Sequence, residues 1–99
     1  MNRTIISDSA LRRIRKIFTY YSKKASSETA QSIIDNIFST IDLIRDNPLA
    51  WQEEEYLKKL RKEHRRIISG NYKITYRIFD DTILVTDVFD TRQNPKKMK

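Results

Sequence analysis

Cysteine is absent from the 99 residues, which excludes disulfides, thiolate nucleophiles and sulfur-ligated zinc or iron–sulfur sites in one step. With a single glycine, Gly70, the chain has no glycine-rich loop to cradle phosphates, so nucleotide-dependent chemistry of the P-loop or dinucleotide kind is excluded as well. His64 is the lone histidine. A metal site would have to be assembled from it and carboxylates, and no ligand-like spacing surrounds it. Nor is there a nucleophile-elbow motif to accompany it in a serine triad. No metal and no other cofactor is therefore expected. His64 keeps two readings, a structural side chain or, with a reference pKa of about 6.5, a proton shuttle. No apolar run has the length of a signal peptide or a membrane span. A soluble, cytoplasmic protein without membrane attachment is the expectation.

What is present is charge. The formal net charge is +7 with a pI near 9.8, a balance that favours polyanionic company: RNA, DNA, an acidic membrane surface or an acidic protein. Hydrophobic residues make up 38% and charged residues 33%, the composition of an ordered globular chain. The length suits one domain, residues 1–99. So small a domain buries roughly 60–70% of the surface its unfolded chain exposes, and a partner that binds the folded form would stabilise it.

Thr4 to Ile6 is a β-branched run that predicts a strand, and Ser7-Asp8 is a helix start, a hydroxyl cap followed by a carboxylate. Leu11, Ile14, Ile17, Phe18 and Tyr21 then recur at helical spacing, with Arg12, Arg13, Arg15 and Lys16 on the other face. Ser26-Ser27-Glu28 recaps, and Ala30, Ile33, Ile34, Ile37, Phe38, Ile41 and Ile44 form a second helix that ends near Asn47-Pro48. The short connection folds the two helices into an antiparallel hairpin. Arg66 to Ile68, Tyr72 to Phe79 and Thr82 to Phe89 are β-branched and aromatic, separated by Ser69-Gly70-Asn71 and Asp80-Asp81, which predicts an antiparallel three-stranded meander. The fold class is α+β: a short N-terminal strand and a helical hairpin packed on that sheet. In the segment Leu49 to Glu63, Trp51, Leu57 and Leu60 are expected to pin the chain to the core. Asn94 to Lys99 is a basic tail expected to be mobile.

On the second strand of the meander Tyr72, Ile74, Tyr76 and Ile78 face one way, while Lys73, Thr75 and Arg77 face the other. The first set is expected to pack on the helices and the second to form a polar, basic face. Alternation would gather Arg66, Lys73, Arg77 and Arg92 there as a phosphate-positioning surface, with Arg65, Lys96 and Lys97 adding charge. Tyr72 and Tyr76 are either core residues or platforms for an unstacked base. No helix-turn-helix or RNA-recognition signature supports a simple nucleic-acid-binding module.

The order strand, helix hairpin, basic meander resembles the RelE/ParE toxin superfamily over almost the whole chain. The residues that carry the resemblance are Ala10-Leu11 with Ile14, Ile17 and Tyr20-Tyr21, then Ala30 to Ile41 and Pro48. The stretch Arg66 to Ile78 looks like the family's central hairpin, and Val88 to Pro95 resembles its closing strand motif. The resemblance implies the toxin of a type II toxin–antitoxin (plasmid stabilisation) module, covered by a cognate antitoxin. In the RelE branch, a ribosome-dependent mRNA endoribonuclease, Arg66, Lys73 and Arg92 would be catalytic, with His64 as proton-transfer group. No Tyr or His follows Arg92, which favours the ParE branch, whose members are not enzymes and poison DNA gyrase. DNA gyrase, or ribosome-bound mRNA, is then the expected target.

Overall fold

The computed structural model describes residues 3–54, 57, 63–94 and 96. Seven elements follow in order: β1 (Arg3–Ile6), α1 (Asp8–Lys24), α2 (Ser27–Asp46), β2 (Gln52–Glu53), β3 (Arg65–Ser69), β4 (Tyr72–Phe79) and β5 (Thr82–Asp90). The strands form one mixed sheet in the order β1-β5-β4-β3-β2. The expected meander is β3, β4 and β5, antiparallel throughout. To it the structure adds β2, two residues paired with Arg65 and Arg66, and a parallel pairing of β1 with β5. Neither addition has a local sequence signal: β2 is too short to show alternation, and β1 finds its partner at the far end of the chain.

Ser7 joins strand to helix. Its Oγ accepts from the Ala10 N–H at 3.1 Å and donates to the Thr86 carbonyl at 3.1 Å, so one hydroxyl caps α1 and ties its start to β5. Asp8 and the pair Lys23 and Lys24 sit at the helix ends their charges favour. At α2 the Ser26 hydroxyl accepts from Thr29 N–H at 3.0 Å, and the helix stops at Asn47, before Pro48. The φ values of +58° at Gly70 and +51° at Asp80 make the two tight reversals of the meander.

Ala10 and Ile14 of α1 and Ile34, Ile37, Ile41 and Ile44 of α2 close over Ile74, Tyr76, Ile83, Val85 and Val88 of the sheet. Phe18 and Phe38, whose spacing predicts core, lie on the margins of their stripes, 37% and 39% exposed. Trp51 does pack against this core. Leu57 is buried elsewhere, on the other side of the sheet, while Leu60 lies outside the described residues. A bulge shifts the register so that Thr75 pairs with Asp87 but Tyr76 with Val85, leaving Thr86 as the extra residue. The shift lets Val85 and Val88 both face the helices and sends Asp87 and Phe89 to the opposite side.

Tyr72 and Tyr76 are core residues, 7% and 0% exposed. The Tyr76 hydroxyl donates to the Pro48 carbonyl at 2.5 Å, fastening the end of α2 to β4. Removing it in Tyr76→Phe leaves that carbonyl short of a donor, and we expect a cost of about 1–3 kcal/mol. Burial pushes the phenol from its ordinary 10.0 up to about 12. The fold thus prefers neutral Tyr76, a contribution fully present below pH 10 and lost as pH rises through about 12. Urea midpoints of the parent should fall more steeply across that window than those of Tyr76→Phe, and parallel curves would refute the assignment.

Candidate functional site

Strand alternation predicts a polar, basic sheet face away from the helices. Instead that face carries a second, small apolar cluster of Leu57 and Phe89, each 1% exposed, with Glu54 buried beside it at 1%. The Glu54 carboxylate lies 2.9 Å from Lys73 Nζ and 3.6 Å from the nearest Arg66 guanidinium nitrogen. Its backbone N–H donates to the His64 carbonyl at 2.8 Å, pinning the segment down. Arg66 also donates to the Glu53 carbonyl at 2.6 Å and to Gln52 Oε1 at 2.9 Å. An internal carboxylate therefore occupies the space between the two cations that the sequence offers to a phosphate.

The other expected site residues are dispersed. Arg77 is half-buried on the same face, and its Nε has no hydrogen-bond partner among the described residues. His64 is buried at 5%. Arg65 is in register with Tyr76 and so points to the other side of the sheet from Arg66. It donates to the Trp51 carbonyl at 2.7 Å and pairs with Glu63 at 3.0 Å. Lys96 is exposed, its N–H bonded to Asn94 Oδ1 at 3.0 Å. Lys97 and most of the expected mobile tail lie outside the described residues.

Arg92 is separated from this group altogether. It grips Asp90 through Nε at 2.9 Å and a terminal nitrogen at 2.8 Å, and reaches the Tyr21 hydroxyl at 3.5 Å. The Arg92 hydrogen bond holds the Asp90 carboxyl below its ordinary value. Tyr72, raised by burial and by donating to Tyr21, leaves Tyr21 as the acceptor of two donors, Tyr72 then Arg92, which lowers the Tyr21 phenol. Tyr72, Asp90 and Arg92 border a cleft of about 390 Å³ between α1 and the end of β5, lined also by Lys16, Ile17 and Tyr20.

Two features have no counterpart in the sequence pattern. Glu54 is the middle of three glutamates, Glu53-Glu54-Glu55, and nothing local marks it for burial except its place between Trp51 and Leu57. Asp87, 0% exposed, accepts from the Val88 N–H at 2.9 Å and pairs with Arg13 Nε at 3.1 Å. Arg13 also lies over the Phe89 ring, 6.0 Å from its centroid. Arg13 thus reaches from α1 around the edge of β5 left bare where β1 ends at Ile6. Among the described residues no three potential metal-ligating side chains come together. No helix there is long and apolar enough to cross a membrane.

Residues 4–95 match the family model described as the ParE toxin of the type II toxin-antitoxin system, parDE. Among curated proteins no sequence matches. Among solved structures the chain is similar to one described as a chromosomal ParDE TA system from P. aeruginosa, at 14% identity and a TM-score of 0.75. That likeness covers 91% of this chain and 95% of the other, and at such identity it speaks for the fold. With the family match running from β1 past the end of β5, the chain belongs to the ParE toxin family of type II toxin–antitoxin systems.

Proposed function

We propose that this chain is a growth-arresting toxin that acts on DNA gyrase without being an enzyme, in the cytoplasm where that target lies, until a cognate antitoxin covers it. Membership of the ParE family supports the toxin role and an antitoxin partner. The choice of gyrase over mRNA rests on Glu54. A ribonuclease reading needs Arg66 and Lys73 free to stabilise charge on a scissile phosphate, and here both are engaged by a carboxylate whose side chain is 0% exposed. His64, the proton-transfer candidate, is buried, and Arg92 stands apart with Asp90. The basic set that RNA cleavage would require is not gathered on one free surface.

Controlled expression in bacteria without an antitoxin tests this. The expected result is growth arrest with a DNA-damage response, filamentous cells and intact messages by primer extension, together with inhibited supercoiling by purified gyrase. Arrest with translation-dependent cuts in messages would replace this reading with the ribonuclease one. Unimpeded growth would remove the toxin role.

A further inference from the structure

Among the described residues, most cations without an ion pair lie on helix α1 rather than on the strands, where Arg77 is one exception. On the sheet, Arg65 has Glu63, Arg66 and Lys73 share Glu54, and Arg92 has Asp90. Helix α2 is acidic, with four carboxylates and one arginine. Helix α1 carries six basic residues and one acidic residue. One of the six, Arg13, is paired with Asp87. Among the described residues the other five have no ion pair and are exposed, Lys24 at the helix end and the four Arg12, Arg15, Lys16 and Lys23.

These four stand three, four and seven residues apart, which puts them on one side of α1. The row from Arg12 to Lys23 is about 16 Å long at the helical rise. Tyr20 flanks this stripe one turn beyond Lys16, 54% exposed and standing edge-on to Tyr21 with ring centroids 5.0 Å apart. Its ring borders the cleft between α1 and β5, where Arg92 and Gln93 form the opposite lip. A row of unpaired cations beside a fixed, solvent-facing aromatic ring matches a backbone of phosphates with a base turned out of its stack. An acidic peptide would use the cations but would not call for the ring.

We propose that the α1 stripe of Arg12, Arg15, Lys16 and Lys23 binds the phosphates of a single-stranded nucleic acid, with one unpaired base stacked on Tyr20 at the mouth of the cleft. The site lies on a different element from the basic strands and does not depend on gyrase being the target. Fluorescence anisotropy of the full-length chain with a labelled oligothymidylate of about fifteen nucleotides tests it, over a series of salt concentrations. Replacing Arg12, Arg15 and Lys16 together by glutamine is expected to weaken binding about tenfold or more and to reduce the log–log salt slope by about two, at roughly 0.7 for each phosphate no longer neutralised. Tyr20→Ala should weaken it about fivefold or more at an unchanged slope, and should leave binding to duplex DNA of the same length unaltered. Arg45→Gln, which removes an exposed cation from α2, should match the parent. Unchanged affinity and slope in the triple variant would overturn the proposal, as would an equal loss in Arg45→Gln. Binding of a polyglutamate peptide to the stripe, with none of the oligonucleotide, would overturn it in favour of an acidic protein segment.

Discussion

Glu54→Ala should be the most damaging single substitution on the sheet side of this protein, lowering stability by about 3–5 kcal/mol. The reason is an asymmetry. Burying an ion pair yields little net stability, because desolvating both partners offsets their attraction; removing one partner leaves the other's desolvation uncompensated. Here the loss falls on two cations, since Lys73 is 14% exposed and Arg66 24% at their side chains, both turned toward the Glu54 carboxylate. For a domain of this size, each kcal/mol moves the melting temperature by about 4–8 °C, so the variant should melt tens of degrees lower or fail to fold at physiological temperature. The double variant Glu54→Gln, Lys73→Met separates charge from packing. It removes the buried cation with the buried anion and should regain much of the loss. If Glu54→Ala alone melts within a few degrees of the parent, the carboxylate is not the keystone of this face.

Asp87→Ala is the second large effect, about 2–4 kcal/mol, smaller because Asp87 holds Arg13 where Glu54 holds both Lys73 and Arg66. Asp87 satisfies the Val88 N–H on a stretch of β5 beyond the end of β1, and with Arg13 and Phe89 it closes a sheet edge that would otherwise invite another strand. Two losses are expected together: a lower urea midpoint, and faster hydrogen exchange at the Val88 amide than at its neighbours in β4. Asp87→Asn keeps an oxygen for that amide while discarding the charge, and should recover the exchange protection more fully than the midpoint. Equal exchange at Val88 in the parent and the alanine variant would show that the edge is sealed by something other than this carboxylate.

Helices, turns and the inner sheet face were legible because each has a local signal. The isoleucine spacing of α2, the Ser7 and Ser26 caps, and the alternation from Tyr72 to Ile78 are patterns within a short stretch of chain. The outer face was not legible for the same reason. Strand alternation correctly puts Lys73, Thr75 and Arg77 on one side of β4, but whether that side meets water depends on a segment far earlier in the chain. No periodicity announces that Glu54 will turn inward to Lys73, a partner 19 residues away. Arg92 was misplaced by a related error. It follows the end of β5, so alternation no longer governs it, and a bidentate grip on Asp90 two residues back determines its direction. The bulge at Thr86 likewise depends on the pairing of two strands rather than on either alone. Of the candidate site, the sequence showed the residue types and overestimated how many of them share a surface.

The pairing of β1 with β5 carries a consequence for timing. Ser7 and the Thr86 carbonyl it meets are 79 residues apart, and β1 lies between solvent and a strand that is the last of the sheet to be made. On the ribosome the helical hairpin can form early from local contacts, but β1 has nothing to pair with until β5 has left the exit tunnel, and closing so long a loop is slow. For most of its synthesis the nascent chain is therefore an unfinished sheet with an amphipathic hairpin. An antitoxin already present in the cell would have an interval in which to meet that chain before the toxin is complete.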